Sequence, residues 1–481
     1  MSTAIAARAS EALSRDPKRR FVFAALAAVI SLVALVAAYE LRTGAPKNIV
    51  MALVIAAAPI CLYVSIRRPL IFPFALYAIA VPFSNLVYLG GFGTVTKLIG
   101  VLAAAMLTFY VVRTKRVINP PVALFAWLTY IAWVCASIAW AIDPALSLAS
   151  IGILLSLFLL YVVSTLVPVT PFELRVVLAA IAVGGLCAAA YGAYAFRSGM
   201  PTSNNRFYLQ SSNTDAAIDP NHFAASLLLP IAIVLMAALS TRNMLLKFGL
   251  FVCAGVLMTG VYASASRGAF VAVLAMVVYF VWKSRKRLQI VFLAAAASVS
   301  GLFLPTAMWS RILKDPGNGS GRTVIWSVGL DALHRYWLLG AGILNFPNAY
   351  DQSYLKIYSP VFQQWSMAAH NILVQTAVEL GVVGIGILVW VVASQFRILK
   401  DIKPGDELYT VRIGLEAAFI GMLTASMFLD VLFWKYSWLT FMAMALARSA
   451  AIDARPVRAE SSTALPTLNG NATARHFLTR V

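Results

Sequence analysis

A histidine at the junction of a long polar loop and an apolar helix marks the place where this chain could move a proton. His370 opens the stretch AAHNILVQTAVELGVVGIGILVW, directly after a polar-aromatic segment running from Met308 to Ala369. The 481 residues include only 4 histidines. Imidazole is the side chain whose ordinary pKa lets it accept and return a proton near neutrality. The preceding loop is far longer than a connector needs to be. Water and bilayer meet at such a junction, which suits a substrate with one lipid end and one wet end.

Two arginines stand where an anion could be held. Arg267 lies in the short turn Tyr262-Ala-Ser-Ala-Ser-Arg267-Gly268 between two apolar runs, so its side chain must sit at or just inside the membrane face. A boundary arginine is costly and usually partnered. It either snorkels or pairs with Asp219 or Glu379, or its planar fork grips a phosphate bidentately. The small residues Ser264, Ser266 and Gly268 favour the phosphate, because they leave room for a ligand. Arg322 opens a second element inside the long loop. Asn318-Gly-Ser-Gly-Arg322 is a flexible lead-in with Ser320 as a possible cap, followed by VIWSVGLDALHRYWLL. Trp326, Leu330, Leu333 and Trp337 fall on one helical stripe, which predicts an amphipathic helix resting among lipid headgroups. Its N-terminus would offer unpaired N–H groups and partial positive charge to an anion, with Arg322 beside them.

Supporting groups are predicted around these three. The loop from Phe196 to Asn221 carries Arg197, Arg206, Asp215, Asp219 and the run DPNHF. His222 reads as a capping or orienting group at the start of a helix, and Asn371 follows His370 directly. Glu379 lies deep in its helix and reads as a structural acid that orients a basic residue. His334 faces away from the loop helix's apolar stripe, and His476 lies in a tail with little to bury.

These residues need a membrane scaffold to position them. The chain is 61% hydrophobic and 12% charged, about half the charged fraction of soluble domains. Apolar runs near the ~20 residues that cross a bilayer occur at 21–39, 47–65, 70–89, 94–112, 122–141, 147–167, 173–195, 222–239, 245–263, 266–282, 289–306, 371–394, 411–429 and 431–448. An all-α polytopic membrane protein of 12–14 transmembrane helices is expected, an even number, with a large loop on the face opposite the cytoplasm containing the amphipathic helix. The run at 70–89 holds Pro73 and Pro82, and 411–448 is nearly continuous, broken at Asp430.

Most of the 38 lysines and arginines fall on one set of connections, among them Arg67 and Arg68, Arg113 to Arg116, and Lys283 to Arg287. The positive-inside rule then puts both termini in the cytoplasm. The loops 196–221 and 307–370 fall on the opposite side. The expected organisation is a cytoplasmic segment 1–20, transmembrane helices over 21–195, a core over 196–395, further helices over 396–449 and a flexible cytoplasmic tail over 450–481. The first apolar run has no convincing cleavage site and is expected to stay as a helix.

The net charge of +20 is mostly topological, because the basic clusters sit at membrane exits where anionic headgroups lie. Nucleic acid is not an expected partner; membrane lipids are. Cys61, Cys135, Cys187 and Cys253 lie in apolar runs without metal-ligand spacing and read as small buried hydrophobes. The outer loops lack the paired carboxylates that hold Mg²⁺ against a diphosphate. They also lack a nucleotide-binding glycine loop and a Ser/His/Asp arrangement. No cofactor and no metal are expected. A substrate that carries its own activated leaving group fits this set, and a lipid-linked diphosphate sugar is one.

These pieces resemble the O-antigen ligase and O-antigen polymerase superfamily of bacterial envelope proteins. The resemblance rests on Ser266-Arg267-Gly268, on Gly321-Arg322 with Trp326, and on His370-Asn371 leading into Glu379-Leu-Gly381-Val-Val-Gly384. It covers roughly residues 200–395. It implies glycosyl transfer on the periplasmic face of the inner membrane, from an undecaprenyl-diphosphate-linked glycan to a sugar hydroxyl of lipid A–core. His370 would be the general base, Arg267 and Arg322 would bind the diphosphate, and the single displacement would invert the anomeric centre without a metal. A repeat-unit polymerase and a protein O-oligosaccharyltransferase are the alternatives within the enzyme class. A lipid-linked anion transporter or flippase is the alternative outside it, although the polar groups gather at one face rather than at the bilayer midplane.

Overall fold

The computed structural model describes residues 46–84, 93–198, 206–207, 219–283, 321–357 and 365–453. The described residues are helical and contain no β-strand. In chain order the helices are α1 (Pro46–Arg67), α2 (Ala75–Ala80), α3 (Val95–Thr114), α4 (Val122–Ala136), α5 (Pro144–Leu166), α6 (Pro171–Arg197), α7 (Pro220–Ser226) and α8 (Leu228–Ser240). They continue with α9 (Met244–Ala263), α10 (Arg267–Lys283), α11 (Arg322–Tyr336), α12 (Phe346–Ile357), α13 (Ile372–Arg397), α14 (Tyr409–Ser426) and α15 (Lys435–Asp453).

Local chemistry sets many of the boundaries. Thr94 caps α3, and Asp143 caps α5 ahead of Pro144. Thr170 and Glu173 form a reciprocal capping box on α6, and Asn243 caps α9. Each oxygen satisfies amide donors that a helix start otherwise leaves open.

Among the described residues seven helices are long and apolar enough to cross a membrane, α7 and α8 counting together, and eight if the bent pair Ala57–Arg67 and Leu70–Phe83 is one span. The chain is a polytopic α-helical membrane protein. The apolar runs at 47–65 and 70–89 do not form two straight spans. They meet at 114°, with Pro69 and Pro73 withholding amide donors near the break. The runs at 21–39 and 289–306, the segments 1–20 and 454–481 with His476, and Ser320 lie outside the described residues.

The near-continuous run at 411–448 resolves into α14 and α15, separated by a turn around Asp430. These two are less apolar than lipid-facing spans because protein surrounds them. α15 is buried along almost its whole length, and α14 carries an Arg412–Glu416 ion pair at 2.8 Å. Protein-facing helices tolerate small and polar residues that lipid would penalise. The outward faces carry the large apolar side chains instead, such as Phe125, Leu148, Phe248 and Leu274. The four cysteines depart from expectation: none is buried, and Cys135 and Cys187 are exposed on those outward faces.

The break in α13 organises the end of the bundle that holds the site. Gly381 has φ 67° and ψ −169°, a conformation only glycine adopts cheaply. A Cβ there would lie 2.1 Å from the Leu338 carbonyl oxygen. The break frees helix carbonyls, and the loop after α11 takes them up. Ala341 N–H donates to Val378 O at 2.8 Å, Gly342 N–H to Glu379 O at 2.9 Å, and Trp133 Nε1 to Leu380 O at 3.1 Å. Val382 N–H in turn donates to Trp337 O at 2.8 Å. A broken helix at membrane depth survives only when protein satisfies its backbone in this way.

The loop helices form a small core of their own. Ile325, Val328, Ala332, Phe346, Tyr350 and Val378 pack together, joined by Ala369. The stripe of α11 buried in this core is Ile325, Val328, Gly329 and Ala332, with Trp326 and Leu333 of the predicted amphipathic stripe packed partly against it. Small residues win the packed face because α12 and α13 come close: a Cβ on Gly329 would stand 3.0 Å from Phe346 and 3.2 Å from Val374. Leu330 and Trp337 stay exposed.

Candidate active site

Arg206, Asp219, Asn221, Arg267, Gly268, Arg322, Ile325, Met367 and His370 line one cavity of about 210 Å³. They come from five separate stretches of chain, so the fold rather than local sequence assembles them. The volume falls below the ~300–1,000 Å³ of drug-sized ligand sites. It suits a compact charged group with the rest of its molecule outside.

His370 is held from both sides. Its backbone sits at φ 47°, a left-handed conformation that costs a non-glycine residue energy and persists only where neighbours enforce it. On one side, Trp326 Nε1 of α11 donates to the carbonyl of Ala369 at 2.9 Å. On the other, Asn371 caps α13, its Oδ1 accepting from Leu373 and Val374 N–H at 2.9 and 3.1 Å. The Asn371 Nδ2 donates to Met427 O at 3.1 Å, so the residue after His370 is tied to the end of α14. Nδ1 of His370 is buried without a hydrogen-bond partner, while the half-buried ring lines the cavity. Nε2 is therefore the nitrogen open to a ligand. Burial, and then the Arg322 guanidinium, hold the His370 pKa below the usual histidine value, with Asp219 pulling it back up. The ring is consequently neutral at pH 7 and able to accept a proton.

Arg267 is the first residue of α10, placed by an unusual turn. Ala265 has φ 49°, and Ser266 Oγ accepts from Ala269 N–H at 3.3 Å, capping the helix. Ser264 Oγ accepts from Ser266 N–H at 3.2 Å. Ser264 and Ser266 are fully buried. They build the turn rather than make room for a ligand, and of the three small neighbours only Gly268 lines the cavity. Gly268 lets Phe428 approach, since a Cβ there would stand 3.0 Å from that side chain. Phe428 also underlies Arg322, whose guanidinium carbon lies 6.0 Å from the ring centroid.

Arg322 is the first residue of α11. The N-cap is Gly321 at φ 75°, with no side-chain cap, so the cap falls at Gly321 rather than Ser320. Arg206 enters the same cavity through a fixed frame. Its Nε donates to Ser264 O at 3.0 Å and its NH2 group to Asn221 Oδ1 at 2.9 Å. Asn221 in turn donates to Asp219 Oδ1 at 2.7 Å from both its backbone and its side chain. The cavity thus carries guanidinium groups from three elements against a single carboxylate, an arrangement that favours a multiply charged anion.

Two predicted residues fall elsewhere. His222 is buried on a neighbouring cavity, with Nδ1 3.0 Å from the Tyr436 hydroxyl and its ring stacked 3.9 Å from that of Trp434. It does not cap its helix; Asp219 does. Glu379 orients no basic residue among the described ones. Its carboxylate accepts from Phe346 N–H and Gln375 Nε2, each at 3.3 Å, and Gln375 reaches Asp430 at 3.3 Å. A buried acid can be satisfied by amides as well as by a cation, and here it fastens α12 to the broken α13. His334 is exposed. Asn221 and Met367 line the cavity without having been singled out for it, and Asp219, considered above as a partner of Arg267, lines it too. Nothing in the spacing of the Asp219-Pro-Asn221 run tells that Arg206 would dock on it.

Residues 248–389 match the O-antigen ligase family model. The matched span holds Arg267, Arg322 and His370, and Arg206, Asp219 and Asn221 precede it. No curated protein matches the chain.

Proposed function

We propose that this chain is a membrane glycosyltransferase of the O-antigen ligase kind, moving a glycan from undecaprenyl diphosphate to a sugar hydroxyl of lipid A–core at the periplasmic face; the family match over residues 248–389 supports the reading. The observation that carries the reading is the meeting of His370, Arg267 and Arg322 on one cavity.

The diphosphate lies between the guanidinium groups of Arg267 and Arg322, with Arg206 held against Asn221 as a third contact. The acceptor hydroxyl approaches Nε2 of His370. Its oxygen attacks the anomeric carbon as the imidazole takes the proton, worth typically about 10²–10⁴-fold. The bond from that carbon to the phosphate oxygen breaks, and its electron pair leaves with the diphosphate. The arginines stabilise the charge as it develops, a contribution often larger than the proton transfer. One displacement inverts the anomeric configuration. The two charged phosphates leave readily, so the reading gives no metal a role.

The test is transfer by purified protein given lipid-linked glycan with lipid A–core, with a second glycan chain, or with pilin. Product on lipid A–core alone supports the ligase reading. Chain extension or glycosylated pilin would replace it with the polymerase or the protein O-oligosaccharyltransferase. Movement of intact donor across vesicles without transfer would replace it with a flippase.

A further inference from the structure

A second cavity of about 460 Å³ lies beside the first, and nothing in the mechanism above uses it. We propose that it takes the phosphorylated sugar headgroup of a lipid, held by Lys97 and Lys435, and that this lipid is the acceptor. The assignment of the lipid as acceptor rests on the proposed function; the ligand chemistry rests on the cavity alone.

Lys97 and Lys435 both face the cavity, and among the described residues no carboxylate lines it. The Lys435 ammonium donates to Thr94 Oγ1 at 3.1 Å, and its main electrostatic neighbour is Lys97. The ion pairs Arg68–Glu173, Arg116–Asp453 and Arg412–Glu416 lie away from it. Two ammonium groups sharing a partly desolvated space repel each other, and an anion between them removes that repulsion.

The remaining walls indicate what carries the anion. Trp434, buttressed by the stacked His222 ring, offers an aromatic face. Ser84 and Ser226, whose hydroxyls donate to Val81 O and Phe223 O, keep oxygen lone pairs that can accept from a polyhydroxylated ring. Ile153 and Leu157 line the same cavity from the interior of the α5 span, where an acyl chain would lie. Charge, hydroxyls and an apolar wall together match an anionic saccharide with a lipid tail better than a free anion.

The position also fits an acceptor. Consecutive residues of α7 divide the two cavities, Asn221 lining the smaller and His222 the larger. The His222 and His370 rings are near enough to interact electrostatically. A saccharide lying against Trp434 therefore stands one residue of α7 away from the cavity that holds His370.

The experiment measures equilibrium binding of bis-phosphorylated lipid A, its dephosphorylated form and inorganic phosphate to the full-length chain in detergent. Lys97→Gln/Lys435→Gln should weaken phosphorylated lipid A by about tenfold or more and leave the dephosphorylated form unchanged. Lys97→Arg/Lys435→Arg should restore binding, and Arg267→Ala should retain it. Wild-type affinity in the double glutamine variant would overturn the proposal. So would inorganic phosphate binding as tightly as lipid A, which would make this a free-anion site. Loss of lipid-linked glycan binding in place of lipid A binding would give the cavity to the donor and overturn it as well. If the glutamine variant does not fold, equal affinity of the wild-type chain for phosphorylated and dephosphorylated lipid A suffices to refute it. Lysine-dependent lipid A binding by a wild-type chain that shows no transfer supports the site and sinks the ligase reading instead.

Discussion

Replacing Trp326 with phenylalanine removes one hydrogen bond and tests how His370 is held. The indole N–H reaches the Ala369 carbonyl at 2.9 Å, and Ala369 is only 1% exposed. Without the donor that carbonyl is stranded, at a cost of about 1–3 kcal/mol. The left-handed backbone of His370 stores strain of similar size, about 1–3 kcal/mol, so losing the restraint lets the residue relax out of place. A misplacement of that order lowers turnover by about 10- to 100-fold. Arg322 should remain in position, because α11 is still anchored by Ile325, Val328, Gly329 and Ala332. Steady-state transfer kinetics should then show reduced kcat with little change in KM for the donor, alongside a small fall in melting temperature. Trp337→Phe is the control, since Trp337 is 60% exposed on the same helix. A Trp326→Phe protein with normal kcat and a lowered melting temperature would refute the restraint and leave the bond a purely structural role.

Three further outcomes are expected. Arg267→Ala and Arg322→Ala should each weaken lipid-linked donor binding by about 10-fold or more, measured by equilibrium titration; unchanged affinity in both removes them from the site. The acid limb of kcat/KM should lie below pH 6.5, the ordinary histidine value, because burial and Arg322 disfavour the protonated ring that cannot act as base. Arg322→Ala removes one of those influences, so its acid limb should move to higher pH; a limb that stays put or moves down contradicts the coupling. Gly381→Ala should prevent stable folding, since its Cβ would lie 2.1 Å from the Leu338 oxygen at a φ of 67°, and a native melting curve would show that the break in α13 is dispensable.

The helical membrane scaffold was legible because the apolar runs are long, whereas the caps at Thr94, Asp143 and Asn371, each acting on amides within three residues, went unread. His370, Arg267 and Arg322 stood out because charged or titratable groups at apolar boundaries are costly and few. Long-range placement was not legible. The docking of Arg206 on Asn221 and the reach of Trp326 to Ala369 depend on how loops fold over the bundle. The Trp326–Trp337 stripe was legible as an amphipathic face, and Leu330 and Trp337 are exposed, but the buried face of Gly329 and Ala332 was not, because it depends on the close approach of α12 and α13. Glu379 was correctly deep but wrongly given a cationic partner, because sequence cannot show that Phe346 N–H and Gln375 would meet it.

The central claim, that an imidazole works beside arginine-bound diphosphate, is tested most directly by single-turnover transfer with His370→Ala at saturating donor. Donor affinity should stay within about twofold of wild type while the transfer rate falls by about 100-fold or more. Transfer at a near-normal rate with donor bound would contradict the account.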